Sequence, residues 1–183
     1  MSNKIWEFTG DTKICFGITL RRIRATVEFK LKCGIVVRKG ELGGWIEKES
    51  NLSGNAWVSG DAKVFGNARV SGDAKVYGNA WVYGNAKVLG NAWVFGNAKV
   101  SGNAEVSGNA EVRSSKDYCV YKNTWSSFRW FTYTKSNKMW SVGCFHGTGA
   151  ELIAKAYNDS EPSGKCYKAI VKAQESIEKT MEV

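Results

Sequence analysis

A chain of 183 residues that is 43% hydrophobic and 13% aromatic carries enough apolar material for one compact core or two small ones, which excludes a disordered polymer. No apolar run approaches the roughly 20 residues a bilayer requires, and Met1-Ser2-Asn3-Lys4-Ile5-Trp6-Glu7 has no signal-peptide apolar region, so the expected place is the cytoplasm, with no membrane partner. The net charge of +9 is spread along the chain with no polybasic tail, which fits an anionic partner and serves solubility as well.

Residues 1–45 open with β-rich runs (Ile5 to Phe8, Ile14 to Phe16, Ile18 to Phe29, Ile35 to Val37) separated by turn chemistry at Gly10-Asp11, Gly17 and Gly34. They predict a hairpin or small sheet that forms an N-terminal cap. Arg21, Arg22 and Arg24 lie together in this stretch. Strand alternation puts Arg22 and Arg24 on one face, read either as a solvated strand face or as a phosphate-facing patch.

Residues 46–113 carry an aliphatic side chain at every sixth position from Leu52 to Val112, with Ala four places after each from Ala56 to Ala110 and Gly followed by Asn or Asp between them. A helix of 3.6 residues per turn cannot keep such a period on one face; short strands joined by regular corners can, which predicts a solenoid with Val inside. Gly and Asn or Asp supply the corners, and the only Pro lies outside the repeat. The Val-x-Gly-Asn/Asp-Ala-x unit resembles the hexapeptide repeat of left-handed β-helix proteins. Gly40 to Ile46 with Asn51 to Gly54 resembles the lead-in segment of the hexapeptide-repeat proteins encoded by phages and prophages. The resemblance implies a left-handed parallel β-helix with three hexads per coil.

Residues 18 apart then stack, and the outer walls can be read. One wall carries Trp57, Lys75 and Trp93 beside Ser59, Tyr77 and Phe95. The second carries Trp45, Lys63, Trp81 and Lys99 beside Glu47, Phe65, Tyr83 and Ser101. The third carries Asn51, Arg69, Lys87 and Glu105 beside Ser53, Ser71, Leu89 and Ser107, and reads as solvated. Outward rings on two walls predict a covering surface or a binding surface, with Lys between Trp residues allowing cation–π stacking. The family resemblance implies a homo-oligomer, with a trimer favoured. Asp61 and Asp73 stand in different Asn columns, so no acidic pair and no metal site is expected.

The six-residue register stops after Arg113, which marks residues 114–183 as a separate unit. Its first thirty residues are dense in rings and predict two or three antiparallel strands, with Trp125, Arg129 and Tyr133 projecting opposite to Phe128 and Trp130. Thr148 with Glu151 reads as a capping box opening one helix. Ser160-Glu161-Pro162 opens a second, whose Cys166, Ile170, Ala173, Ile177 and Met181 form an apolar stripe. The expected architecture is mainly β: a β-helix with an N-terminal β cap and a small C-terminal α+β domain that shields the last coil.

Left-handed β-helix acyltransferases use a His on the coils, and their carbonic anhydrase relatives need three; this repeat has none. The single His146 precedes a predicted helix, the five cysteines are scattered without a Cys-x-x-Cys pair, and no phosphate-binding Gly loop occurs. The sequence therefore predicts no catalytic residue, no metal and no cofactor. The leading expectation is an oligomeric, non-enzymatic phage-type binding protein. Its partner would be an anionic small molecule such as a nucleotide, sequestered as a host immune signal in the host-cell cytoplasm. Candidate contacts are Trp125, Arg129, Trp130 and Trp140, then Trp81 and Trp93. The alternatives are a protein-binding inhibitor of a host defence enzyme and a structural phage part. DNA is an unexpected partner, because no recognition helix or basic stripe is visible.

Overall fold

The computed structural model describes residues 4–181. It is mainly β: a β-solenoid of about four turns followed by a part that ends in two helices. The solenoid's ten short strands are β6 (Trp57–Val58), β7 (Lys63–Val64), β8 (Arg69–Val70), β9 (Lys75–Val76), β10 (Trp81–Val82), β11 (Lys87–Val88), β12 (Trp93–Val94), β13 (Lys99–Val100), β14 (Glu105–Val106) and β15 (Glu111–Val112). Each pairs in parallel with the strand eighteen residues away, Val82 with Val64 and Val100 for example. The strands fall into three sheets.

Every repeat Val from Val58 to Val112 and every repeat Ala from Ala56 to Ala110 is fully buried. The corner glycines Gly54 to Gly108 hold φ between 65° and 77°, the left-handed region that residues with a Cβ avoid. Three backbone N–H groups per hexad donate to the next coil, as Trp81 to Ala98 (2.8 Å), Tyr83 to Val100 (3.0 Å) and Asn85 to Gly102 (2.8 Å). On the outside, Asn67 donates to Asn85 and Asn85 to Asn103, both at 3.3 Å, forming the side-chain ladder that the Asn columns predict.

The N-terminal strands β1 (Trp6–Cys15) and β2 (Ile18–Ala25) form an antiparallel hairpin. β2 pairs antiparallel with β5 (Leu42–Ile46), and β5 stacks in parallel on β7. Gly43 and Gly44 permit that approach, because a Cβ on either would lie 2.8 Å from a backbone oxygen of the first coil, Val58 O or Ala62 O. The short pair β3 (Phe29–Lys30) and β4 (Val36–Val37) brings Phe29 edge-on to Trp57 at 5.7 Å, and Trp57 is buried as a result. All three arginines are engaged: Arg21 over Phe8, Arg22 over Trp45 and bonded to Gly43 O, Arg24 paired with Glu7. Arg21 and Arg24 remain exposed beside these partners.

Beyond the solenoid, β16 (Tyr118–Lys122), β17 (Trp130–Thr134), β18 (Met139–Val142) and β19 (Phe145–Gly147) form an antiparallel meander, one strand more than expected. Phe131 and Tyr133 face helices α1 (Gly149–Asp159) and α2 (Glu161–Met181), forming a second core with Trp140, Val142, Leu152 and Tyr167. The Thr148–Glu151 capping box forms as expected, and its two hydrogen bonds from Thr148 hold the Glu151 carboxyl below its ordinary pKa.

Two expectations need correction. The face of α2 that packs inward is Gly164, Tyr167, Val171 and Gln174, one step round the helix from the expected stripe; Ala173, Ile177 and Met181 are exposed. Trp125 and Arg129 lie in a loop before β17, because Asn123 folds back on Ser126 and closes a turn instead of continuing the strand.

The opposite face of the meander closes the last coil. In the repeat, the first N–H of each hexad donates to an Ala carbonyl one coil on; Lys99, Glu105 and Glu111 have no such coil. Hydroxyls replace it: Ser115 Oγ accepts from Lys99 (3.3 Å), Thr132 Oγ1 from Glu105 (2.8 Å) and Ser136 Oγ from Glu111 (2.8 Å). Thr132 is buried, so Thr132→Val is expected to cost about 1–2 kcal/mol by stranding a half-buried donor, whereas Ser115→Ala and Ser136→Ala, where water can substitute, cost under about 0.5. Urea unfolding of the three variants measures the difference, and equal losses would contradict it.

Candidate functional site

The third wall of the solenoid, expected to be solvated throughout, is covered at its end. Ser107 is buried against the meander, and the neighbouring stretch of wall faces the β16–β19 sheet across a cleft of about 360 Å³. Asn85, Lys87, Asn103 and Glu105 form its floor; Arg129 and Trp130 form its far side.

Each group is placed by local structure. Lys87 and Glu105 are stacked eighteen residues apart and joined at 3.2 Å, and Asn85 and Asn103 belong to one amide ladder. Trp130 opens β17 with its ring 41% exposed, and Lys122 on the adjacent strand sits 5.0 Å above it. Arg129 lies along the turn at Gly143, where a Cβ would be 3.8 Å from its Cδ. The loop behind it is held at both ends: Asn123 is fully buried and receives two backbone N–H bonds, and Tyr167 donates to Ser127 at 2.8 Å. Lys122 also donates to the Phe128 carbonyl, and Phe128 itself adopts φ 54°. A ring, a guanidinium and one further cation, Lys87, thus line a space that contains one carboxylate, already paired with Lys87.

The six candidate contact residues do not form one site. Arg129 and Trp130 meet at the cleft. Trp125 stands apart, 74% exposed, against the side of α2. Trp140 is a core ring, packed on Tyr121, Phe131 and Tyr133, and does not reach the surface as a platform. Trp81 is sandwiched between Lys63 (5.2 Å) and Lys99 (5.1 Å) with Phe16 edge-on, and Trp93 leans on Tyr77; both serve the stacking of their walls. The rings Phe65 and Tyr83, and Tyr77 and Phe95, stack face to face along the same walls. The sequence reading missed Lys87, Asn85 and Asn103 as cleft residues, since a solenoid wall looks the same whether or not something faces it.

His146 sits beside the cleft. Its Nδ1 is 3.0 Å from Ser107 Oγ and 3.1 Å from Ser141 Oγ, and the two hydroxyls are 2.8 Å apart. The other side of the ring lies on the Gly108 corner, where a Cβ would come within 2.6 Å of Nε2. Ser107 and Ser141 are both largely buried, and Ser141 contributes to the lining of the cleft. The imidazole occupies the place of a further coil and seats the sheet on the solenoid. Among the described residues no three His, Cys, Asp or Glu side chains gather as a metal site would require, and no helix is long and apolar enough to cross a membrane.

Comparison with protein-family models finds no match, and comparison with curated proteins finds none either.

Proposed function

We propose that the chain is a non-catalytic, phage-type binding protein that holds a planar anion, such as a nucleotide, in the cleft between the solenoid wall and the C-terminal sheet. The observation that carries this reading is the placement of Arg129 and Trp130 across from Lys87, Asn85 and Asn103 in a space of about 360 Å³. Its size falls within the range of small-molecule sites. An exposed indole offers a stacking platform, Arg129 offers charge for phosphate, and the Asn amides offer donors and acceptors to a base edge. The ring, the guanidinium and the amides are binding groups, and capture is the chemistry this reading assigns to them. Sequestration of a host nucleotide immune signal in the cytoplasm is the biological form of that capture.

The same reading takes the scaffold as a left-handed β-helix with three hexads per coil and an N-terminal β cap. The eighteen-residue pairing and the antiparallel run of β1, β2 and β5 onto the first coil support it, and the likeness of the repeat to hexapeptide proteins supports the hand. A second reading, an inhibitor that binds a host protein, draws support from the hairpin tip, where Ile14 and Phe16 are each 79% exposed beside Trp81.

Calorimetry of the purified protein against cyclic dinucleotides, ADP-ribose derivatives and short oligonucleotides tests the capture. Trp130→Ala is expected to weaken binding about tenfold or more, from the 1–3 kcal/mol that a base-stacking ring contributes. Arg129→Ala is expected to weaken it and to flatten its salt dependence. If no member of the panel binds, or if both variants bind as the unaltered protein does, the reading fails.

A further inference from the structure

We infer that α2 pairs with α2 of a second copy in antiparallel orientation, making a two-fold dimer through a surface separate from the cleft. The helix has two apolar arcs. One packs on the meander through Tyr167, Val171 and Gln174. The other contains Cys166, Ala169, Ile170, Ala173, Ser176, Ile177, Thr180 and Met181, which at 100° per residue fall within about 140° of the circumference. Every charged residue of α2 lies outside that arc. A charge-free arc of this width on a helix that otherwise alternates Lys and Glu is the pattern of a buried face, yet Ile177 is 49% and Met181 76% exposed.

What identifies the occupant is the unlike character of the two halves. Along the first half, Cys166, Ala169, Ile170 and Ala173 form with Tyr121 and Trp125 an apolar groove of about 430 Å³. Along the second half, Ile177 and Met181 project as exposed side chains that line no groove among the described residues. The larger side chains are placed evenly about Ala173: Ile170 and Ile177 on either side, Cys166 and Met181 further out. An antiparallel second copy therefore sets the projecting half of each helix into the groove half of the other, with the small Ala173 at the crossing where the backbones come closest. Trp125, 74% exposed on its pinned loop, then closes over the partner's helix end as the aromatic anchor of the interface. A parallel pair would lay projection on projection and leave both grooves empty.

Sedimentation over a concentration series is expected to give twice the 20.2 kDa chain mass at the upper end. Ile177→Glu and Trp125→Ala are each expected to raise the dissociation constant at least tenfold with the circular dichroism spectrum unchanged, while Lys172→Glu, outside the arc, leaves it alone. Oxidation of a Met181→Cys variant should cross-link position 181 to Cys166 of the partner subunit, read by peptide mapping. A chain that stays monomeric at every concentration overturns the inference. So does an oligomer indifferent to Ile177→Glu, or a cross-link joining position 181 to itself.

Discussion

Gly72→Val is expected to cost about 3 kcal/mol or more, or to prevent folding, whereas Gly102→Val, the same change at the same kind of corner, costs about half as much. The two glycines share the left-handed conformation, with φ 77° and 66°, so both substitutions carry the backbone penalty of about 1–2 kcal/mol for a residue with a Cβ. They differ in what stands above them. A Cβ on Gly72 would lie 2.9, 3.0 and 3.2 Å from the O, N and Cα of Gly90 in the next coil. Those are backbone atoms held by ladder bonds on either side, and they cannot yield as the end of a side chain would. Gly102 is in the last coil with nothing within 4 Å. Urea denaturation of the two variants separates the conformational part from the steric part. Equal losses would mean that the coils are not stacked as closely as the corner geometry requires.

That contrast bears on how much of the molecule is legible in its sequence. The solenoid is legible because each hexad repeats the same local problem: an inward Val, an inward Ala and a corner with positive φ recur until the pattern breaks at Arg113. The lysine and tryptophan columns are legible for the same reason, since a fixed stacking interval turns sequence position into neighbourhood, and Lys63 and Lys99 do flank Trp81.

What covers each wall is not legible. Phe29 on Trp57 and His146 on Gly108 are contacts between segments with no shared period. The same limit applies to α2, where two apolar arcs overlap and the inward one contains Gln174, whose Oε1 accepts from Tyr121 at 2.5 Å, so hydrophobicity alone selects the wrong arc. The loop that positions Arg129 did have a local signal: Asn123 followed by Ser126 and Ser127 is turn chemistry, masked by the density of rings around it. The cleft could not be read at all, because it exists only where an otherwise ordinary stretch of wall faces the C-terminal sheet.

The opposite end of the ladder gives the second large effect. Within the repeat, the N–H of residue 57 donates to the Ala74 carbonyl and that of residue 63 to the Ala80 carbonyl, so the Ala68 carbonyl should receive residue 51. It cannot receive the backbone of Asn51, because the 3₁₀ turn Glu49–Asn51 has already committed that N–H to Lys48 O at 3.0 Å. The side chain takes its place: Asn51 Nδ2 donates to Ala68 O (2.8 Å) and Gly66 O (3.2 Å), while its Oδ1 accepts from Lys48 N (2.9 Å).

Asn51 is fully buried, so Asn51→Ala is expected to cost about 2–4 kcal/mol, the sum of stranded carbonyls and a stranded N–H that water cannot reach without opening the first coil. Asn51→Asp keeps the acceptor but turns the donor into a second oxygen aimed at two carbonyls. Its carboxyl pKa in the folded protein must then rise above the unfolded value of about 3.9, because only the protonated form can donate. A folded state that binds the proton more tightly loses stability as pH rises. Asn51→Asp is therefore expected to unfold at lower urea than Asn51→Ala near about pH 7 and to recover much of the loss near about pH 4. A midpoint for Asn51→Asp that does not move with pH relative to the unaltered protein would show that the first coil is closed by something other than this amide.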